Sequence, residues 1–274
     1  MKTSSASLRE YARGITGGLL FSLPLLYTME VWWAGFSAQP YQLLFYIAAT
    51  FGLLLGYNRY AGVHEGAHWN EVLIDSVEEI GIGLVISLLM LWTLGRIDLA
   101  AMGTEEIVSK IVVESMTVAI GVSVGTAQLG GEQEQNDGGL NPRPQRSVSL
   151  RGSAVLALCG GVLIAGNVAP TEEIPMIAME ISAIHLLVIA VQSVALGMVI
   201  LFFSNFKGGA GKTSWTLVIL ETATAYIISL LVSVFMLWFF GRLDGVHFDS
   251  ALSQVIVLGF PAMLGASAGR LLIK

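Results

Sequence analysis

Four carboxylates open one apolar segment of this chain, and one of them is written twice. Glu71, Asp75, Glu78 and Glu79 fall at i, i+4, i+7 and i+8, a spacing that gathers them on one side of a helix. Glu221 stands 146 residues after Asp75, inside a second segment built to the same plan. Carboxylates offer hard oxygen ligands to inorganic cations, relay protons, or pair with basic groups. An ionised carboxylate facing hydrocarbon is strongly disfavoured, so this stripe must face a bundle interior, water or another subunit. In the second segment Glu221 is accompanied by Thr222, Thr224, Ala225, Ser229 and Ser233, a milder polar stripe that still offers oxygen. Glu114 is a further acid in apolar surroundings; the second copy has Phe260-Pro261 there, so Glu114 belongs to one half alone.

The functional reading of these residues is a cation pathway. Asp75 and Glu221 are its paired ligands, helped by Glu78, Glu79 and Glu114. Glu30 and Glu173 form an outer acidic vestibule that raises the local cation concentration. The competing reading is structural: near-interface acids that pair with Arg59, Lys207 or Lys212, or that hydrogen-bond between helices.

Two other motifs carry chemistry on paper. His64-Glu65-Gly66-Ala67-His68 has the H-E-x-x-H zinc spacing, in which two imidazoles share a helical face and the glutamate acts as general base. Here it lies in a short Gly-flanked loop with no counterpart in the second copy, so His64, Glu65 and His68 are metal candidates for an alternative reading as an intramembrane zinc hydrolase. Gly208-Gly209-Ala210-Gly211-Lys212-Thr213 resembles the end of a phosphate loop, but the glycine required at position 206 is Phe206 and no strand precedes it. No nucleotide site follows, and no cofactor or nucleic acid is expected. Cys159 is the single cysteine and reads as a packed thiol.

The elements that position the acids repeat as well. Trp69-Asn70-Glu71 runs on to Met90-Leu91-Trp92 and Gly95-Arg96-Ile97-Asp98. Trp215 runs on to Met236-Leu237-Trp238 and Gly241-Arg242-Leu243-Asp244 at the same offset of 146. Glycine stops each helix, and the arginine can pair with the aspartate two positions later. Gly17-Gly18 matches Gly160-Gly161. Gly121-x-x-x-Gly125 matches Gly265-x-x-x-Gly269, a small-residue spacing that marks close helix packing within a bundle or between subunits.

Composition fixes the environment. Apolar residues make up 54% of 274 positions and charged residues 12%, about half the usual share for a soluble domain. Spanning helices are expected near 14–35, 40–58, 69–95, 106–129, 151–169, 176–204, 214–240 and 250–272. The fold class is therefore an all-α integral membrane protein, with eight transmembrane helices as two parallel four-helix repeats. Residues 1–130 form the first repeat, 131–149 a polar Gly/Pro-rich linker, and 150–274 the second repeat.

Eleven lysines and arginines on one side against three on the other put both termini and the linker in the cytoplasm. From Trp69 to Trp92 a helix rises about 34 Å, which matches a hydrocarbon core with its interfaces.

The stretch from Tyr57-Asn58-Arg59 through Gly95-Arg96-Ile97-Asp98, with its acidic helix start, resembles a bacterial family of integral membrane proteins known only as a domain of unknown function. The resemblance implies a bacterial inner-membrane protein and carries no activity. The residues themselves point to a cation channel or transporter whose partners are the lipid bilayer, an inorganic cation or proton, and further copies of the chain, a dimer foremost. A non-transporting membrane scaffold is the other alternative. In a dimer, two copies each of Asp75 and Glu221 could form a ring of four carboxylates.

Overall fold

The computed structural model describes residues 4–61, 68–98, 100–129, 150–207 and 215–269. The described residues are helical: α1 (Ser4–Leu26), α2 (Met29–Ser37), α3 (Pro40–Ala61), α4 (Trp69–Thr93) and α5 (Thr104–Leu129), followed by α6 (Leu150–Val168), α7 (Glu173–Glu180), α8 (Ala183–Lys207), α9 (Trp215–Phe239) and α10 (Phe248–Ala268). They form two compact units, one of α1–α5 and one of α6–α10.

Two of the eight expected spans are divided. The first breaks after Leu26, where Thr28 turns extended; its hydroxyl and amide bond back to the carbonyls of Pro24 and Leu25, ending one helix before the next begins. The sixth breaks at Ile181, also extended, and Ser182 hydrogen-bonds the Nδ1 of His185 at 2.8 Å as α8 starts. Hydropathy runs straight through both breaks, so they were invisible to a count of apolar residues. Among the described residues six helices are long and apolar enough to cross a membrane: α3, α5, α6, α8, α9 and α10.

In the first unit α5 is the hub, packed by α1, α2, α3 and α4. Glycine sets the closest approach. A Cβ built on Gly17 of α1 would stand 2.4 Å from the Cα of Gly125, and one on Gly125 would stand 2.5 Å from the Cα of Gly17. In the second unit α10 is packed by α6, α7, α8 and α9, and a Cβ on Gly160 of α6 would meet the carbonyl oxygen of Gly265 at 2.2 Å. The small-residue spacing thus serves packing within each unit. In both units it meets a glycine of the Gly-Gly pair that opens that half.

Both long acidic-start helices end in the same turn. Gly95 and Gly241 take φ of 68° and 69°. The amide of the following arginine bonds the carbonyl of Leu91 or Leu237 at 2.8 Å, the closing bond of a Schellman cap. The arginines do not pair with their aspartates, however. Arg96 lies over the ring of Trp32, 4.6 Å from its centre. Arg242 bonds Glu172 Oε1 at 2.8 Å and the carbonyl of Pro170. Asp98 instead accepts the amides of Ala100 and Ala101. Each arginine therefore ties its helix end to the region of the short helix in its own unit, a contact about 65–70 residues away that local spacing could not reveal.

Candidate functional site

The acidic stripe of α4 is divided by the packing around it. Glu71 caps its own helix: its Oε2 accepts the amide of His68 at 3.0 Å, which satisfies a free N–H of the first turn. Glu78 is exposed and accepts a hydrogen bond from the Tyr11 hydroxyl of α1. Asp75 is half-buried. Glu79 is buried, 8% exposed, and points between α3 and α5. There Asn58 of α3 donates from Nδ2 to Glu79 Oε2 at 2.8 Å and to Ser76 Oγ at 3.1 Å, while Ser123 of α5 donates to Asn58 Oδ1 at 3.1 Å. Asp75 and Glu78 lie close enough to Glu79 to act on it electrostatically. One asparagine joins three helices around one carboxylate.

Glu114 sits apart on α5, nine residues and about 14 Å of helix rise from Ser123. It is 1% exposed, and neither carboxyl oxygen has a hydrogen-bond partner among the described residues. Its electrostatic reach includes the Tyr46 hydroxyl of α3, which lies 3.4 Å from the hydroxyl of Thr117. One turn away on α5, the buried Lys110 bonds Glu106 Oε1 at 2.9 Å and lies over the ring of Phe36.

Between these two carboxyl groups runs a line of polar side chains that the acids alone did not reveal. The buried face of α3 is Gln42, Tyr46, Thr50, Leu54, Tyr57 and Asn58. On α4 the buried face includes Ser76, Glu79, Gly83 and Ser87, with Gly83 packed against the carbonyl of Ser115. The Ser87 hydroxyl is buried without a hydrogen-bond partner among the described residues. Its signal in the sequence is polar residues at i, i+4 and i+8 of the second expected helix (Gln42, Tyr46, Thr50), which a hydropathy average hides. From Gln42 to Asn58 the helix rises about 24 Å, most of a hydrocarbon core.

The second unit is different. Glu221 is half-buried and lines a small cleft with Ser153, Ala157, Leu201, Thr224, Ala225 and Ala266. The buried hydroxyls of Ser193, Thr222, Ser229, Ser233 and Ser267 bond carbonyls of their own helices. Ala225 lies 146 residues after Glu79, and no carboxylate is buried among the described residues of this unit.

Glu30 and Glu173 occupy the first turns of α2 and α7, and Glu173 is exposed. Its own backbone amide, the Thr171 hydroxyl and the nearby Arg242 hold the Glu173 carboxyl below its ordinary range. Of the zinc motif, His64 and Glu65 lie outside the described residues, and His68 precedes the first residue of α4. Cys159 is buried.

Residues 10–273 match the family described as "Putative integral membrane protein (DUF2391)". The chain belongs to the DUF2391 family. No curated protein and no solved structure matches it. Family and helices agree on an integral membrane protein with several apolar helices, and the family description assigns no activity.

Proposed function

We propose that this DUF2391 protein moves an inorganic cation or proton across the membrane, with Glu79 and Glu114 on the route through the first unit. Asp75 and Glu78 draw cations to one end of that route, and Glu221 is the repeat-related acid of the second unit. The observation that carries this reading is the Glu114 carboxyl, 1% exposed with neither oxygen paired among the described residues, in a line of buried polar side chains that extends to Glu79. A buried polar group without a partner weakens a fold, and an ionisable one inside a membrane bundle most often marks an ion or proton path.

The same reading includes eight spans in two parallel repeats, with α1 and α4 added to the six most apolar helices and α2 and α7 as short outer helices. It is supported by the recurring order long, short, long, long, long, by the identical caps at Gly95 and Gly241, and by the matched glycine contacts. The proposed setting is a bacterial inner membrane with both termini cytoplasmic, following the lysine and arginine bias. A homodimer, with Asp75 and Glu221 contributed twice, completes the proposal.

The test is ion flux into liposomes containing the purified chain. Potassium, sodium, calcium and protons are followed for the native protein and for Asp75→Asn/Glu221→Gln and Glu79→Gln/Glu114→Gln. Flux lost in a folded double variant supports the route through that pair. Absence of flux for every ion in folded native protein overturns transport and favours a scaffold.

A further inference from the structure

We propose that the transported species is the proton, carried through the first unit alone by Glu79 and Glu114, with Leu54 as the dry step between them. This deepens the transport reading and rests on it.

Ligand number separates a metal cation from a proton. A bare metal cation inside a protein needs about six oxygens to replace its hydration shell, whereas a proton needs one lone pair. Near Glu114 lies the hydroxyl of Tyr46, itself 3.4 Å from that of Thr117. Around Glu79, the amide nitrogen of Asn58 faces the carboxylate, and a metal ion does not take an amide donor as a ligand. Among the described residues no three acidic, histidine or cysteine side chains converge as a metal site would require. The remaining groups on the line are of the kind that pass protons: Tyr46, Thr50, Thr117 and Tyr57 have hydroxyls that both donate and accept.

Each carboxylate would take up a proton on one oxygen and release one to the next acceptor. One O–H bond forms as another breaks, with no change in the group after a full transfer. The polar line on α3 is interrupted once, at Leu54, 1% exposed between Thr50 and Tyr57. An apolar constriction of this kind gates by excluding water. Nothing equivalent to the two buried carboxyls exists among the described residues of the second unit, which assigns conduction to one half.

The experiment uses the full chain in liposomes with a pH-reporting dye inside, a potassium gradient clamped by an ionophore, and sodium and potassium reporters run in parallel. Glu114→Gln and Glu79→Gln are expected to lower proton flux by about a hundredfold, the scale on which a positioned proton-transfer group acts. Leu54→Ala is expected to raise proton flux by admitting water, and it serves as an independent readout should either glutamine variant fail to fold. Sodium or potassium flux that Glu114→Gln abolishes would overturn the proton as cargo and leave cation transport standing. Proton flux unchanged in both folded glutamine variants would overturn the route, as would unchanged proton flux in folded Leu54→Ala. Absence of any flux would remove both readings.

Discussion

Replacing Asn58 with alanine removes the side chain that joins three helices, and the structure sets the size of the loss. Three hydrogen bonds disappear: to Glu79 at 2.8 Å, to Ser76 at 3.1 Å and from Ser123 at 3.1 Å. Ser76 keeps its own bond to the Val72 carbonyl at 2.7 Å, and the Ser123 hydroxyl also reaches Glu79, so the group left short is one Glu79 oxygen. At about 1–3 kcal/mol for a buried group left unpaired, the upper bound is about 3 kcal/mol. Interhelical bonds inside membranes average about 0.6 kcal/mol, which puts three of them at about 2 kcal/mol. The expected destabilisation is therefore about 2–3 kcal/mol. It is read from equilibrium unfolding in mixed micelles, followed by tryptophan fluorescence and circular dichroism. A cycle with Ser123→Ala sharpens the test: the double variant should lose less than the sum of the singles, by about 0.5–3 kcal/mol. A loss below about 0.5 kcal/mol in Asn58→Ala, or strict additivity in the cycle, would refute the three-helix junction.

Three further outcomes are expected. Gly265→Ala places a methyl 2.3 Å from the Gly160 carbonyl oxygen and should destabilise the second unit by about 1–3 kcal/mol, whereas Gly81→Ala, which meets no packing neighbour within 4 Å among the described residues, should be neutral or mildly stabilising in the same unfolding assay. Gly241→Ala forces a side chain to φ near 69° and should cost about 1–2 kcal/mol, and Gly95→Ala should match it because the two caps are alike. Because folding holds the Glu173 carboxyl below its ordinary range, its contribution is present above the unfolded carboxyl pKa and is lost as the pH falls through the lower folded value. The difference in unfolding midpoint between native protein and Glu173→Gln should accordingly be flat near neutral pH and vanish in acid.

The features legible in the sequence are those whose cause is local. Gly95 and Gly241 announce helix ends because only glycine takes that turn at little cost, and the Gly-Gly pairs and four-residue glycine spacings announce close approach. The acids of α4 are visible as an anomaly in an apolar segment, spaced to share one side of a helix. Their separate fates were not visible. Glu71 caps its own helix through the His68 amide, but the fates of Glu78 and Glu79 depend on Tyr11, Asn58 and Ser123, residues from three other helices. The polar face of α3 is illegible in hydropathy, because averaging along a helix erases which side each residue occupies. The breaks at Thr28 and Ile181 were hidden for the same reason: a lipid-grade average survives a single extended residue.

The division of charge between helices also bears on how the chain enters a bilayer. In the eight-span arrangement proposed above, α4 must pass its carboxylates into an environment where one at mid-depth is disfavoured by about 2.5–3.5 kcal/mol on insertion scales. It is not among the six helices apolar enough to cross on length and composition alone, while α3 and α5 both are. Asn58 on the preceding helix and Ser123 on the following one are the groups that give Glu79 a polar environment. On that arrangement α4 would enter lipid more readily together with α3 and α5 than alone.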